Sequence, residues 1–484
     1  MRRLFLLLAL AVPLGTSGSA AAERYTLDAL VRRVERSFPS VAAAREELAG
    51  YDAKRLEQQL RWMPFGDFNF TIGGAPKVAC VDETGMANPN DAALNANCVR
   101  TNNVDLLRGS GSLVDRSMFG GHTLRVDIGL TQPLITSGKL EAAALNLGRT
   151  GARAGRAYLG RDKGDAVQKA IEVYWQLKAA RAAVLLFEES QSTVRNWTQR
   201  IEDELSGANP MRYTEADAAR MKIMLANVEV WALHHKRNEA AALGALRALT
   251  EDPRADVDEA EIGLLPQLDD EGAIAGWAAY LDTARGRRPE SRLINLLVDE
   301  GRGWWQLRLG EMLPDIGVQS GFTWGDAPNV ARPQRAFLAY WPNPLGVFFG
   351  LGLRQPLDLG PRAARLQAAS ADRRSREAKR EMYRGFIAID VVNAWSSLKE
   401  ARERVRETER GEKVMRGWFA SVDENLALGL WTDGREMLEV VQGWVDFRVR
   451  KVYAIADANM RLAWLERATG TLRGLDDPEL KEPR

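Results

Sequence analysis

Few side chains in this 484-residue sequence could do covalent or metal chemistry: it has three histidines and two cysteines. His234 and His235 are neighbours and His122 stands alone, so no His-Glu-x-x-His pair sets two imidazoles on one helical face, as a zinc hydrolase needs. The adjacent pair reads as polar helix surface. Gly109-Ser110-Gly111 lacks the spacing of a phosphate-cradling loop, and no Gly-x-Ser-x-Gly elbow presents a nucleophile. Catalysis is not expected, and no metal or other cofactor is called for.

Cys80 and Cys98 share one polar, Asn-rich segment without zinc-ligand spacing. In an oxidising compartment such a close pair reads as a local disulfide, the other reading being two free thiols in a loop. The N-terminus points to that compartment. Met1-Arg2-Arg3 is a positive leader, Leu4 to Leu14 an apolar stretch too short to span as a mature helix, and Ala20-Ala21-Ala22 a small-residue cleavage site. Residues 1–22 are therefore expected to be a signal peptide. Glu23 would come first after cleavage, with no cysteine there to carry a lipid, and no later apolar run of about 18 residues offers a transmembrane helix. With 66 Lys and Arg against 65 Asp and Glu, the chain has no basic excess to engage a phosphate backbone, so a nucleic-acid partner is not expected.

The elements that would position these residues are announced by prolines. Pro39 and Pro64 lie 25 residues apart, as do Pro289 and Pro314. Leu130-Thr131-Gln132-Pro133-Leu134 returns as Leu353-Arg354-Gln355-Pro356-Leu357. The pattern implies an internal duplication of about 200 residues per copy. After Pro64, Phe68, Phe70 and Ile72 alternate with Asp67, Asn69 and Thr71; a second run sets Leu124, Val126, Ile128 and Leu130 against Arg125, Asp127, Gly129 and Thr131. The second copy sets Ile316, Val318, Phe322 and Trp324 against Gly317, Gln319, Gly321 and Thr323, then Val347, Phe349, Leu351 and Leu353 against Phe348, Gly350, Gly352 and Arg354. Each run reads as a strand with one apolar face.

Two architectures present such strands. A soluble antiparallel sheet would bury the apolar face on a core. A membrane barrel would turn it to lipid and turn Asp67, Asn69, Thr71, Arg125, Asp127, Gln319, Thr323 and Arg354 to a lumen. The adjoining helical stretches are too long to fold back over ten-residue strands, which favours the barrel. Pro64 and Pro314 are expected to end incoming helices, and Pro133 and Pro356 to close strands before helices begin. The connections between paired strands, about 74–121 and 325–345, read as irregular surface loops.

The helices carry a long seam. Val167, Ala170, Tyr174, Leu177, Ala180 and Val184 recur in type and step as Ala388, Val391, Trp395, Leu398, Ala401 and Val405, 221 residues later. Mixed steps of three and four suit coiled-coil-like packing. Residues 138–205 and 362–427 contain no proline, so each stretch would reach roughly 100 Å as one helix. Breakers at Gly207-Ala208-Asn209-Pro210 and from Gly429 to Gly434 turn the chain back. The Arg402-Glu403-Arg404 run is a solvated face rather than a basic patch. The expected segments are a first repeat (23–251), an inter-repeat equatorial linker (252–280), a second repeat (281–470) and a tail (471–484).

Taken in order, Leu27-Asp28-Ala29-Leu30 with Pro39, the two Gln-Pro-Leu junctions, Val173-Tyr174-Trp175-Gln176-Leu177 with Ala394-Trp395-Ser396-Ser397-Leu398, Leu428-Gly429 before Met437-Leu438-Glu439-Val440, and Leu465-Glu466-Arg467-Ala468-Thr469-Gly470 resemble the bacterial outer membrane efflux proteins, or TolC-like channels. The resemblance covers about 25–470. It implies an α+β membrane protein: a homotrimer with four β-strands per protomer in a twelve-stranded outer-membrane barrel, continued by a long α-helical coiled-coil barrel in the periplasm. It implies an exit duct of a tripartite efflux or type I secretion system, set in outer-membrane lipid and docked on a periplasmic adaptor and an inner-membrane transporter. It also implies a gate of acidic residues at the helical tips, with Asp423 and Glu424 as alternatives in the second half and Glu202, Asp203 and Glu204 in the first; solvated acids at helix ends are the plainer reading. A periplasmic coiled-coil adaptor or scaffold without a pore is the competing function. It would carry one helical hairpin flanked by β-rich domains.

Overall fold

In the computed structural model, Pro39 and Pro289 are each the first residue of a 22-residue helix, where the fixed φ suits the helix and the missing N–H deprives no carbonyl of a partner. Pro64 and Pro314 stand in the short joints where those helices give way to strand. The structure describes residues 24–60, 63–76, 78–81, 97–100, 119–136, 139–207, 213–259, 261–269, 274–326, 345–355, 357–428 and 433–472. The expected signal peptide and Pro356 lie outside them.

The elements run β1 (Arg24–Tyr25), α1 (Leu27–Ser37), α2 (Pro39–Leu60), β2 (Phe65–Pro76), β3 (Val78–Val81), β4 (Asn97–Arg100), β5 (Phe119–Thr136), α3 (Lys139–Leu205), α4 (Glu215–Thr250), β6 (Asp256–Val257), α5 (Pro266–Asp269), α6 (Trp277–Arg287), α7 (Pro289–Gly310), β7 (Asp315–Asp326), β8 (Leu345–Arg354), α8 (Leu359–Ala427) and α9 (Gly434–Thr469). Lengths recur in the same order: 11 and 22 residues for α1 and α2 as for α6 and α7, then 67 and 36 for α3 and α4 against 69 and 36 for α8 and α9.

Two compact units form, each from separated segments. One takes residues 51–151 and 298–377. Its sheet has the order β2-β5-β7-β8, all antiparallel neighbours. Glycines let its helices close up: a Cβ on Gly148 of α3 would lie 3.3 Å from the Arg55 Cα of α2. Arg376 of α8 pairs with Glu300 of α7 at 2.7 Å.

Two expectations need correction here. Pro133 does not close its strand. β5 runs on to Thr136 through a register shift between Pro133 and Ile135, since a residue without an N–H is tolerated in a ladder at a bulge. The segment 74–121 is not loop throughout either: β2 persists to Pro76, and β3 pairs with β4 antiparallel, with Cys80 directly opposite Cys98 in the register.

The other unit takes residues 1–50, 152–297 and 378–484. Its first core gathers Leu30, Val34 and Val41 from the N-terminal helices with Leu159, Leu177 and Leu246. A second core joins Trp197 and Ile201 of α3, Met221 and Met224 of α4, Val422 of α8, and Met437 and Val441 of α9. A third holds Leu281 and Ile294 against Val391, Leu398 and Leu465. The two seams behave as their periods require: every named α3 position is buried, and of the α8 positions Ala388 and Trp395 alone are only half-buried.

Candidate functional site

The sheet separates its residues by chemistry. Register places Phe68, Ile128, Phe322 and Val347 in one row, and Phe70, Val126, Trp324 and Leu345 in the next. Directly opposed residues share a face. Among the described residues no layer covers that face: Val347 and Phe349 are each 80 % exposed, and Phe68, Phe70, Ile72, Leu130, Leu351 and Leu353 are exposed as well.

The opposite face gathers the polar residues. Asn69, Asp127 and Thr323 stand in one row, Thr71 beside Arg125 in another, and Asp67 beside Gly129 in a third. Arg125 donates two hydrogen bonds to Asp127, at 2.7 and 3.0 Å, and the Thr323 hydroxyl donates a third at 2.9 Å. The Asn69 amide donates to Asp67 at 3.3 Å. Gln319 lies over Gly352, whose Cβ would meet it at 3.3 Å. Arg354 pairs in register with Asp315, and its side chain lies outside the described residues. Sequence alternation put Phe348 on this face without a role, and its ring covers Gly321.

The helix ends are the second set. Asp423 of α8 accepts a hydrogen bond from the Trp197 indole of α3 at 3.1 Å. Glu202 pairs instead with Lys222 of α4 at 2.6 Å. Asp203 and Glu424 are exposed, and Glu204 is half-buried. The structure thus joins Asp423 to α3 but does not bring the five acids together within one chain. Neither α3 nor α8 has a basic residue in its last turn, so these carboxylates meet the negative ends of both helix dipoles, where cations are preferred.

Around them lie residues that the sequence reading passed over. Thr214 caps α4 by accepting from the Asp217 N–H, and Asp217 accepts from the Thr214 N–H and hydroxyl at 3.0 and 2.8 Å and from Arg220 at 2.9 Å. Burial pushes the Asp217 carboxyl up, but these donors outweigh it and hold it below the usual carboxylate range. The signal was legible: Thr-x-x-Asp before a helix is a capping box. Farther from the tips, Arg467 of α9, nearly buried, pairs with Asp165 and Glu290 at 2.6 Å each, and Arg288 joins Glu290 and Asp390 at 3.1 and 3.0 Å. Burial would raise Glu290, and the Arg467 guanidinium overrides it, leaving the carboxyl below its ordinary value.

No described residues assemble a metal-binding cluster. His235 is not plain helix surface: it stacks on Phe187 at 4.9 Å and lies 2.9 Å from the Tyr453 hydroxyl, with burial and then the neighbouring His234 lowering its pKa. The His122 side chain lies outside the described residues. No described helix is long and apolar enough to cross a membrane, a statement that does not bear on strands.

No family model matches the sequence, and no curated protein matches it. Solved structures do match. VceC, an outer membrane protein from Vibrio cholerae, superposes with a TM-score of 0.68 at 14 % identity over 92 % of this chain and 96 % of its own. The open state of the Neisseria gonorrhoeae MtrE outer membrane channel gives 0.69 at 15 % identity, covering 92 % and 90 %. The Campylobacter jejuni CmeC outer membrane channel gives 0.67 at 13 %, covering 92 % and 85 %. The chain has the fold of the TolC-like outer membrane channels.

Proposed function

We propose that this protein is the outer-membrane exit channel of a tripartite efflux or type I secretion system. The observation that carries the reading is the four-stranded sheet with an uncovered apolar face and a hydrogen-bonded polar face. In water the first face would be a large unfavourable exposure; against lipid it is the required surface, and the polar face then lines a lumen. The matched element lengths support a duplicated chain.

Closure needs other copies. Within this sheet β2 and β8 pair on one side only, and open edges in hydrocarbon leave backbone groups unsatisfied at several kcal/mol each. Three copies would join β8 of one to β2 of the next in a twelve-stranded barrel, with α3, α4, α8 and α9 extending into the periplasm toward an adaptor and an inner-membrane transporter. The channel is passive, and energy comes from the transporter. Asp423 or Glu424 of the second half, with Glu202, Asp203 and Glu204 as the candidates of the first, would form a carboxylate ring at the periplasmic end when repeated around the axis. Such a ring favours cations. Cys80 and Cys98 form a disulfide across the β3–β4 ladder in the external loop, an assignment supported by their direct opposition in register.

The test is reconstitution. A heat-modifiable trimer from outer-membrane fractions that conducts ions in planar bilayers is expected. A detergent-independent soluble monomer that never conducts would overturn the proposal and favour a periplasmic adaptor.

A further inference from the structure

One row of the sheet's polar face is built differently from the rest. Asp67, Gly129, Gly321 and Phe348 stand opposite one another across β2, β5, β7 and β8. The two glycines make a bare floor, and the side chains at its ends lean inward over it. A Cβ on Gly129 would lie 3.6 Å from the Asp67 Oδ2, and one on Gly321 would run into the Phe348 ring. Directly paired residues on adjacent strands are about 5 Å apart, so carboxylate and ring approach across roughly one strand spacing although β2 and β8 themselves lie about 14 Å apart.

Packing accounts for part of this arrangement. A ring laid over a strand glycine shields its backbone, and Gly321 is buried. The surroundings go further. Phe348 remains 55 % exposed on the face that the channel reading turns to water, and along β8 it stands between Gly346 and Gly350, where a Cβ would meet nothing within 4 Å. Asp67 is exposed as well and accepts from the Asn69 amide at 3.3 Å. Among the described residues no cation pairs with Asp67, whereas Asp127, two residues along the neighbouring strand, is already met by Arg125.

We propose that each copy holds an organic cation, of the quaternary ammonium class with an apolar body, between the Phe348 ring and the Asp67 carboxylate on the lumen wall. The inference rests on the channel reading and adds to it a station inside the duct with its own chemical preference. A quaternary ammonium has no N–H to donate, so an aromatic ring and an opposite charge are the groups that recognise it, and this row supplies both. A hard metal ion is a poor fit, because it takes about six oxygens and the glycine floor offers no side-chain oxygen. An anionic aromatic could use the ring but would be repelled by Asp67.

Block of ion current through the full chain in planar bilayers tests the site. Benzyltrimethylammonium should reduce conductance, and benzenesulfonate, with the same ring and the opposite charge, should not. Phe348→Leu, which keeps apolar bulk without the ring, and Asp67→Asn should each raise the half-blocking concentration about fivefold, while Phe348→Tyr should hold it near the original. Asp423→Ala with Glu424→Ala should leave the block in place; its loss there instead would assign the cation to the helix ends and overturn the proposal. In a conducting channel, no block by the cation, equal block by both probes, or a block unchanged in Phe348→Leu and Asp67→Asn would each overturn it and leave the channel reading intact. A wild-type protein that never conducts would remove both. If Phe348→Leu does not assemble, the ring is needed for packing, and Asp67→Asn alone decides.

Discussion

Gly434, the first residue of α9, stands so close to Asp217 near the start of α4 that a Cβ on it would lie 2.5 Å from the carboxylate Oδ1. The two returning helices therefore begin in contact, and the carboxylate that fills the gap is the one that caps α4. Gly434→Val should lower the unfolding midpoint more than Asp217→Asn, because a branched side chain must displace the whole cap. Loss of the Asp217 cap alone should cost about 1 kcal/mol. Denaturant unfolding of the detergent-solubilised protein checks the order.

The Arg467, Glu290 and Asp165 cluster sets an acid limit on stability. The folded-state pKa of Glu290 is depressed, so its contribution is fully present above the unfolded value and is lost as pH falls through the folded one. Stability should fall across the acidic carboxylate range, and Glu290→Gln should flatten that slope. Melting curves at a series of pH values would show an unchanged slope if the pair contributes nothing.

Conductance should report on the helix ends. Asp423→Ala and Glu424→Ala, alone and together, are expected to reduce cation selectivity or block by multivalent cations. Trp197→Phe removes the indole donor to Asp423 while keeping the ring, and should move gating in the same direction as Asp423→Ala. Identical currents in all variants would take these residues out of the gate.

Sheet faces can be distinguished by one substitution each. Phe349→Arg puts a charge on the apolar face and should cost about 2–4 kcal/mol at mid-membrane depth, abolishing assembled trimer in outer-membrane fractions. Thr323→Arg, on the polar face beside Asp127, should assemble and alter conductance instead. Equal behaviour of the two would contradict the lipid and lumen assignment.

Alkylation with mass measurement decides the cysteines. The proposed Cys80–Cys98 bond predicts no modification before reduction and two alkyl groups after it.

Much of this fold was legible because its periods are simple. Alternation after Pro64 and Pro314 identified both strand faces, and the three-and-four steps from Val167 and from Ala388 identified the buried seams. Pro133 misled because a missing N–H reads as a stop, whereas a bulge lets the ladder pass. The β3–β4 ladder was hidden in a segment whose asparagines and glycines read as loop. At the helix ends, acidic composition was visible, but partner choice was not: whether Glu202 meets Lys222 or Asp423 meets Trp197 depends on helix rotation, which no local pattern records. The Arg467 cluster unites residues as far apart as Asp165 and Arg467, beyond the reach of any short motif.

The two open edges of the sheet have a consequence for inheritance. If β8 of each copy must complete β2 of the next, a copy with a damaged edge strand does not merely fail by itself; it enters mixed rings and leaves them unsealed. Edge-strand defects should then be dominant over a normal gene in the same cell, whereas a defect that prevents export of the chain should be recessive.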